Sequence, residues 1–140
     1  MADTLRLQIV TPDKLLVNET AEQVQMPGKK GYLGILPGHA PLITELMAGE
    51  ISYTQRGTVH YLAVAWGFAE VLPDKVTILA DAAERAETID VKRAEEAKAR
   101  AQEALRQTSP EMDYDAINAA LRRAEVRLEV AARAGHGVAR

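Results

Sequence analysis

Between Gly31 and Leu42 the chain reads GYLGILPGHAPL. Four turn formers, Gly31, Gly34, Pro37 and Gly38, are spaced among Leu33, Ile35 and Leu36. Apolar residues held between breakers predict a short buried strand that ends in a tight turn. Pro37-Gly38 fits a type II turn, since Pro fixes φ and Gly supplies the positive φ needed next. A second turn follows at His39-Ala40-Pro41. A loop this rigid and this apolar is not a plain linker.

The flanking sequence supplies an all-β frame for it. Leu5, Leu7 and Ile9 alternate with Arg6 and Gln8, the period of a half-buried strand, and Thr11-Pro12-Asp13 breaks it. Leu15-Leu16-Val17 predicts a second strand, and Val24 with Met26 a third, stopped by Pro27-Gly28. After the opening loop come Leu42 to Leu46 and Ile51 to Tyr53 around Gly49, then a hairpin turn at Gln55-Arg56-Gly57. Val59, Tyr61, Ala63 and Ala65 alternate on the next strand. Phe68 to Leu72 pairs through Pro73-Asp74-Lys75 with Val76, Ile78 and Ala80. Turn signals every ~8–12 residues predict a β-sandwich or barrel.

At Ala80 the composition shifts from Val, Gly and Pro to Ala, Glu and Arg. Asp81 to Thr88 reads as a polar connector. Asp90 caps a helix that runs to Gln107, about 18 residues or ~27 Å. Its stripe is Ala94, Ala97, Ala101, Ala104 and Leu105, and Thr108-Ser109-Pro110 stops it. Asp113 or Asp115 caps a second helix toward Ala134, with Ile117, Leu121, Ala124 and Leu128 on one face and Gly135 and Gly137 at its end. Two helices with a short loop and matching stripes predict an antiparallel hairpin. Alanine faces release little hydrophobic free energy against the entropy of ordering. Two readings stay open: a hairpin that swings under an external binder, and a static appendage on the sandwich.

Arg123 and Arg127 stand at i,i+4, a like-charge pair that costs a few tenths of a kcal/mol. Neither has an acidic residue three or four positions away on its own helix. Arg122 has Glu125, Arg133 has Glu129, Arg100 has Glu96 and Glu103, and Arg93 has Asp90 and Glu96. By this bookkeeping Arg123 and Arg127 want an anion. A phosphate would answer through forked, charge-assisted hydrogen bonds. A solvated basic face, or salt bridges to another subunit, accounts for the same spacing.

Composition narrows the function. The 140 residues fit one ordinary domain or two small ones. A net charge of −3 argues against nucleic acid as a partner. The lack of cysteine excludes disulfides and thiolate metal sites. No apolar run approaches the ~20 residues of a membrane span, and Asp3, Arg6 and Gln8 interrupt any leader-like start. The expectation is a soluble cytoplasmic protein that reaches a membrane only through a protein partner. No Walker A sequence, nucleophile arrangement or ligand spacing is found. His39, His60 and His136 are far apart, with His60 expected to face solvent and His39 to bond backbone or sit at an interface.

Several strings together resemble the epsilon subunit of bacterial F-type rotary ATP synthases. They are the opening strand Leu5 to Pro12, GYLGILPGHAPL, WGFAEV at Trp66 to Val71, and VTILADAAERAETID at Val76 to Asp90. The resemblance runs over essentially the whole chain. It implies a ten-stranded antiparallel β-sandwich over residues 1–87 and a C-terminal α-helical hairpin over 88–140, a β + α fold. It implies a non-catalytic central-stalk subunit that binds gamma, touches the c-subunit ring and couples proton flow to rotation. The helices of such a subunit, extended along gamma toward the alpha and beta subunits, inhibit ATP hydrolysis. The implied location is the cytoplasmic face of the bacterial cell membrane, peripheral through the complex. Ile89-Asp90-Val91-Lys92-Arg93-Ala94 matches the family's I(L)DxxRA motif for regulatory ATP. The implied ATP contacts are Glu84, Ile89, Asp90, Arg93, Ala94, Arg100, Arg123 and Arg127, with no catalytic cofactor and no metal. Gly31, Tyr32 and His39 are the implied contacts with the ring. Tyr32 stands where the family often has Glu, and Trp66 replaces the first Gly of its usual GGF. The competing reading is a free-standing β-sandwich that binds a small ligand and dimerises through its helices; an enzyme comes third, for want of a nucleophile or metal set.

Overall fold

The computed structural model describes residues 3–107 and 109–139, of which 135–139 as backbone only. Thr108, expected at the end of the first helix, lies outside them. The chain divides into two compact units between Arg85 and Ala86.

The first unit is built from eight strands: β1 (Leu5–Val10), β2 (Leu15–Ala21), β3 (Gln23–Gly28), β4 (Gly31–Ile35), β5 (Leu42–Leu46), β6 (Gly49–Gln55), β7 (Thr58–Leu72) and β8 (Lys75–Arg85). Hydrogen-bonded neighbours run β2-β1-β8-β7-β5-β3-β4, with β6 between β3 and β7. Ten strands were expected. The difference lies in β7 and β8, each of which continues through a point where it changes partner. The first half of β7 pairs with β6 (Val64 opposite Gly49), and the second half with β5 (Gly67 opposite Leu46). Lys75 to Leu79 of β8 bond to β1, while its last residues pair only with the first half of β7. Two long strands thus serve both layers of a sandwich. One pairing departs from the antiparallel expectation, because β1 and β8 run parallel.

Asp81 to Arg85 is therefore strand rather than connector. Ala, Asp and Glu have weak β-propensity. A waiting ladder overrides it: Leu62 opposes Arg85, Ala63 opposes Glu84 and Val64 opposes Ala83.

Period-two patterning puts Leu5, Leu7, Ile9, Val24, Met26, Ile51, Leu62, Val71 and Ile78 in one core. Each such side chain contributes about 1.5–3 kcal/mol on leaving water. The type II turn is present, with Gly38 at φ 87° and the His39 N–H donating to the Leu36 carbonyl at 3.1 Å. The β6–β7 hairpin turns on Arg56 and Gly57, both at positive φ, the geometry whose twist matches the flanking strands.

Trp66 and Gly67, midway along β7, also have positive φ, 56° and 144°. At Gly67 a Cβ would lie 2.1 Å from the Leu79 carbonyl oxygen, so backbone approaches backbone where the strand changes partner. Trp66 holds a left-handed conformation that a bulky side chain resists, at about 1–3 kcal/mol.

At the far end of β8, Arg85 donates to the Tyr53 hydroxyl and to Glu19, and Tyr53 donates to Glu19, each at 3.1 Å. His60 is half-buried and stacks on Tyr53 at 4.9 Å between ring centroids, rather than facing open solvent. Burial raises the Tyr53 phenol above its ordinary value, partly offset by Arg85. Burial alone would lower Arg85, but Tyr53 and Glu19 hold it above its usual value.

In the second unit, a 3-10 turn (Ala86–Thr88) precedes α1 (Val91–Arg106) and α2 (Tyr114–Ala139). Gly135 and Gly137 do not end α2. Glycine costs a helix only ~1 kcal/mol relative to Ala, so it weakens without stopping the helix. Among the described side chains of α2, Ala124, Val126 and Val130 are buried, while Ile117, Leu121 and Leu128 are half-buried. The buried face is therefore rotated from the expected stripe.

Gly67→Ala should lose at least about 2 kcal/mol of unfolding free energy in urea, from strained φ and overpacking together. A neutral result would mean β7 and β8 separate there without cost. A second expectation concerns alkali. Because folding raises the Tyr53 pKa, its contribution is full below about pH 10 and is lost as pH rises through the folded value. Tyr53→Phe should flatten that alkaline limb and lower stability at pH 7 by about 1 kcal/mol.

Candidate functional site

Asp90 begins α1 as expected. Its backbone is extended, and its carboxylate accepts the Arg93 N–H at 3.1 Å. Asp113 caps α2, accepting from the Ala116 N–H at 3.0 Å, which decides between Asp113 and Asp115.

Along the α1–α2 seam alanines meet alanines. Ala101 and Ala124 are buried, with Ala97 and Ala120 half-buried beside them. Short side chains leave space, and a cleft of about 330 Å³ opens, lined by Ala97, Arg100, Ala101, Ala120, Arg123, Ala124 and Arg127. Its size falls at the lower end of the roughly 300–1,000 Å³ of small-molecule clefts. Its floor is apolar and three guanidiniums stand around it. Each is permanently charged and presents a planar fork of donors, which suits phosphate or carboxylate oxygens.

The structure thus brings Arg100, Arg123 and Arg127 together. Asp90, Arg93 and Ala94 lie one to two turns before Ala97 on α1, outside the lining of the cleft. Ile89 and Ala94 are buried, so neither offers much surface to a ligand. Glu84 lies on β8, in the first unit. Ala120 was missed; it falls four residues before Ala124, a spacing that could have revealed it.

The helical charge bookkeeping changes as well. Arg122 pairs with Glu129, two turns away, at 3.6 Å rather than with Glu125. Glu103 bonds Arg106 rather than Arg100. Arg123 and Arg127 each make an interaction of their own, so counting along one helix overstated their need for an anion. What marks them is their place around one cleft.

In the first unit, Gly31 and Tyr32 open β4, and His39 sits in the loop to β5. The Tyr32 hydroxyl accepts the Glu50 N–H at 2.9 Å. His39 places Nδ1 2.7 Å from the Ala40 carbonyl oxygen, a bond within its own loop. Among the described residues no group of three or more His, Cys, Asp or Glu could hold a metal ion, and no helix is long and apolar enough to cross a membrane.

Asp90→Ala removes the α1 cap and should cost about 1 kcal/mol of helical stability. Thermal unfolding followed at 222 nm checks this, and an unchanged midpoint would show that α1 does not depend on its cap.

Two families match the chain in tandem: "ATP synthase, Delta/Epsilon chain, beta-sandwich domain" over residues 4–86, and "ATP synthase, Delta/Epsilon chain, long alpha-helix domain" over 87–132. The chain is 72% identical over 111 residues to the ATP synthase epsilon chain of Koribacter versatilis, covering 79% of this chain and 78% of that one. It is 44% identical over 138 residues to ATP synthase epsilon chain 2 of Syntrophotalea carbinolica, covering 98% and 100%. Among solved structures it resembles a chain of the Euglena gracilis mitochondrial ATP synthase, OSCP/F1/c-ring in rotational state 1. The TM-score is 0.80 at 24% identity, over 94% of this chain and 82% of that one, a likeness of fold.

Proposed function

The chain belongs to the delta/epsilon family of ATP synthase subunits, among the bacterial F-type epsilon chains, and from this we propose that it is a non-catalytic subunit of the central stalk. In this reading the sandwich binds gamma and, through Gly31, Tyr32 and His39, faces the c-subunit ring at the cytoplasmic side of the bacterial membrane. The helices regulate. Extended along gamma toward the alpha and beta subunits, they inhibit ATP hydrolysis; folded together, they bind ATP as a regulatory ligand. The epsilon-chain relatives favour this reading over a free-standing small-ligand module.

The observation that carries the regulatory reading is the cleft lined by Arg100, Arg123 and Arg127 over alanines. Polyphosphate suits three converging guanidiniums, because each fork forms charge-assisted bonds worth about 1.5–3 kcal/mol. Asp90 extends the same stripe of α1 toward its N-terminus, beside Ile89 and Ala94, in line for the ribose and adenine, and Arg93 joins the guanidiniums on the phosphates. The Asp90 carboxylate keeps lone pairs free beyond the one that caps the helix. A ligand bridging α1 and α2 favours the folded hairpin by its differential affinity alone.

Calorimetric titration of the full chain with ATP tests this. Arg123→Ala with Arg127→Ala should weaken binding by at least about tenfold, the loss of one to two charged hydrogen bonds. In the assembled complex the same variant should hydrolyse less ATP, because the hairpin loses the ligand that keeps it folded. No heat with ATP, or binding untouched by the double substitution, removes the proposal.

A further inference from the structure

No linker residue separates the two units. Arg85 ends β8 in the first, and Ala86 opens the 3-10 turn of the second. Arg85 bonds to Glu19 on β2 and to Tyr53 on β6, so one side chain ties three strands together. Ala86 is 3% exposed, its carbonyl accepts the Ile89 N–H at 3.4 Å, and its turn packs on α2. A chain fixed on both sides of one peptide bond leaves only the φ and ψ of that joint for any turning of the units.

The two sides of the joint are not held equally. On the helical side Ala86 and Ile89 are both buried. On the strand side Asp81 and Ala82 are exposed and residues 83–85 half-buried, whereas Val76, Ile78 and Ala80 upstream are buried. Ala83 is what this segment contributes to the core. The β1 ladder ends at Leu79, and among the described residues the rest of β8 pairs on one side, with β7. Ala, Glu and Arg are good helix formers, and Ala and Glu are depleted in strands, so local preference opposes the pairing adopted here. The Arg85 side chain reinforces that one-sided ladder. Its ion pair with Glu19 spans 3.1 Å, with 25% of the Arg85 side chain and 31% of the Glu19 side chain exposed. A fully exposed pair would hold little, and a fully buried one could not part without stranding a charge. This pair lies between those limits.

We infer that the end of β8, residues 81–85, is a latch. Arg85 closes it on Glu19 and Tyr53, and it peels from β7 when the helices change posture, becoming the tether on which they turn. The inference rests on the regulatory reading of the helices. Released, the segment reaches up to about 3.3–3.6 Å per residue from its fixed end at Ala80. Cleft and latch then act on different states. A nucleotide favours the folded pair of helices, while the latch sets whether the extended form can be reached.

Two measurements test this. In the full chain, Glu19→Gln should speed amide hydrogen exchange of residues 82–85 about tenfold and leave residues 76–79 unchanged. Residues 82–85 protected as strongly as 76–79 in both proteins would overturn the latch. The second uses the assembled synthase carrying Arg123→Ala and Arg127→Ala, whose slower ATP hydrolysis the regulatory reading expects. Val64 and Ala83 are opposed in the β7–β8 ladder, and the chain has no cysteine of its own. Val64→Cys with Ala83→Cys, oxidised to a disulfide, should return hydrolysis to the wild-type rate, and reduction should slow it again. If the arginine variant is slow and the closed disulfide leaves it slow, regulation stands and the latch is overturned. If the arginine variant is not slow, the regulatory reading falls and the latch with it.

Discussion

The ladder between β7 and β8, paired from Leu62–Arg85 to Leu72–Lys75, holds both layers of the sandwich together. A buried backbone needs partners for its N–H and C=O groups along its whole length. A strand that crosses from one layer to the other meets that demand by exchanging neighbours partway. β7 gives up β6 for β5 around Trp66 and Gly67, and β8 gains β1 over Lys75 to Leu79. The crossing brings Gly67 against the carbonyl of Leu79 and holds Trp66 at positive φ. The local strain is small beside the core it makes possible, in which Leu7, Ile9, Val24, Met26 and Ile51 are fully enclosed.

The second unit is assembled on the opposite principle. Its core is short of bulk, with Ala86, Ala94, Ala101 and Ala124 among its buried residues and Ile89, Val126 and Val130 its larger ones. Alanine releases little free energy on burial, so the helices pack closely without filling the space between them. The unfilled part of that seam is where Arg100, Arg123 and Arg127 converge. One feature, small side chains on both helices, thus accounts for a small hydrophobic contribution to their packing and for the cleft between them. A hairpin with this character suits the regulatory role proposed for it, because a modest ligand affinity suffices to shift a small free-energy difference.

At the sandwich edge, backbone and side-chain bonds both set rigidity. Backbone bonds to β5 and its exit hold the Lys29-Lys30 tip between β3 and β4, and the Tyr32 hydroxyl is committed to Glu50. The exposed face is therefore fixed before any partner arrives, and little ordering entropy is left to be lost on contact.

The sequence by itself determined the local elements: alternating Leu5, Leu7 and Ile9, the Pro37-Gly38 and Arg56-Gly57 turns, and the Asp90 cap. Each depends on residues within a few positions of one another, where period and turn chemistry decide. It also carried the family, through strings such as GYLGILPGHAPL. Tertiary structure alone decided that β7 and β8 run unbroken through both layers, and that Asp81 to Arg85 joins a strand its composition disfavours. It set the parallel pairing of β1 and β8, and it brought Arg100 on α1 beside Arg123 and Arg127 on α2. It also turned Val126 and Val130 inward and gave Arg122 a partner two turns away. These features join residues distant in sequence, and their free energy comes from partners that no local window contains.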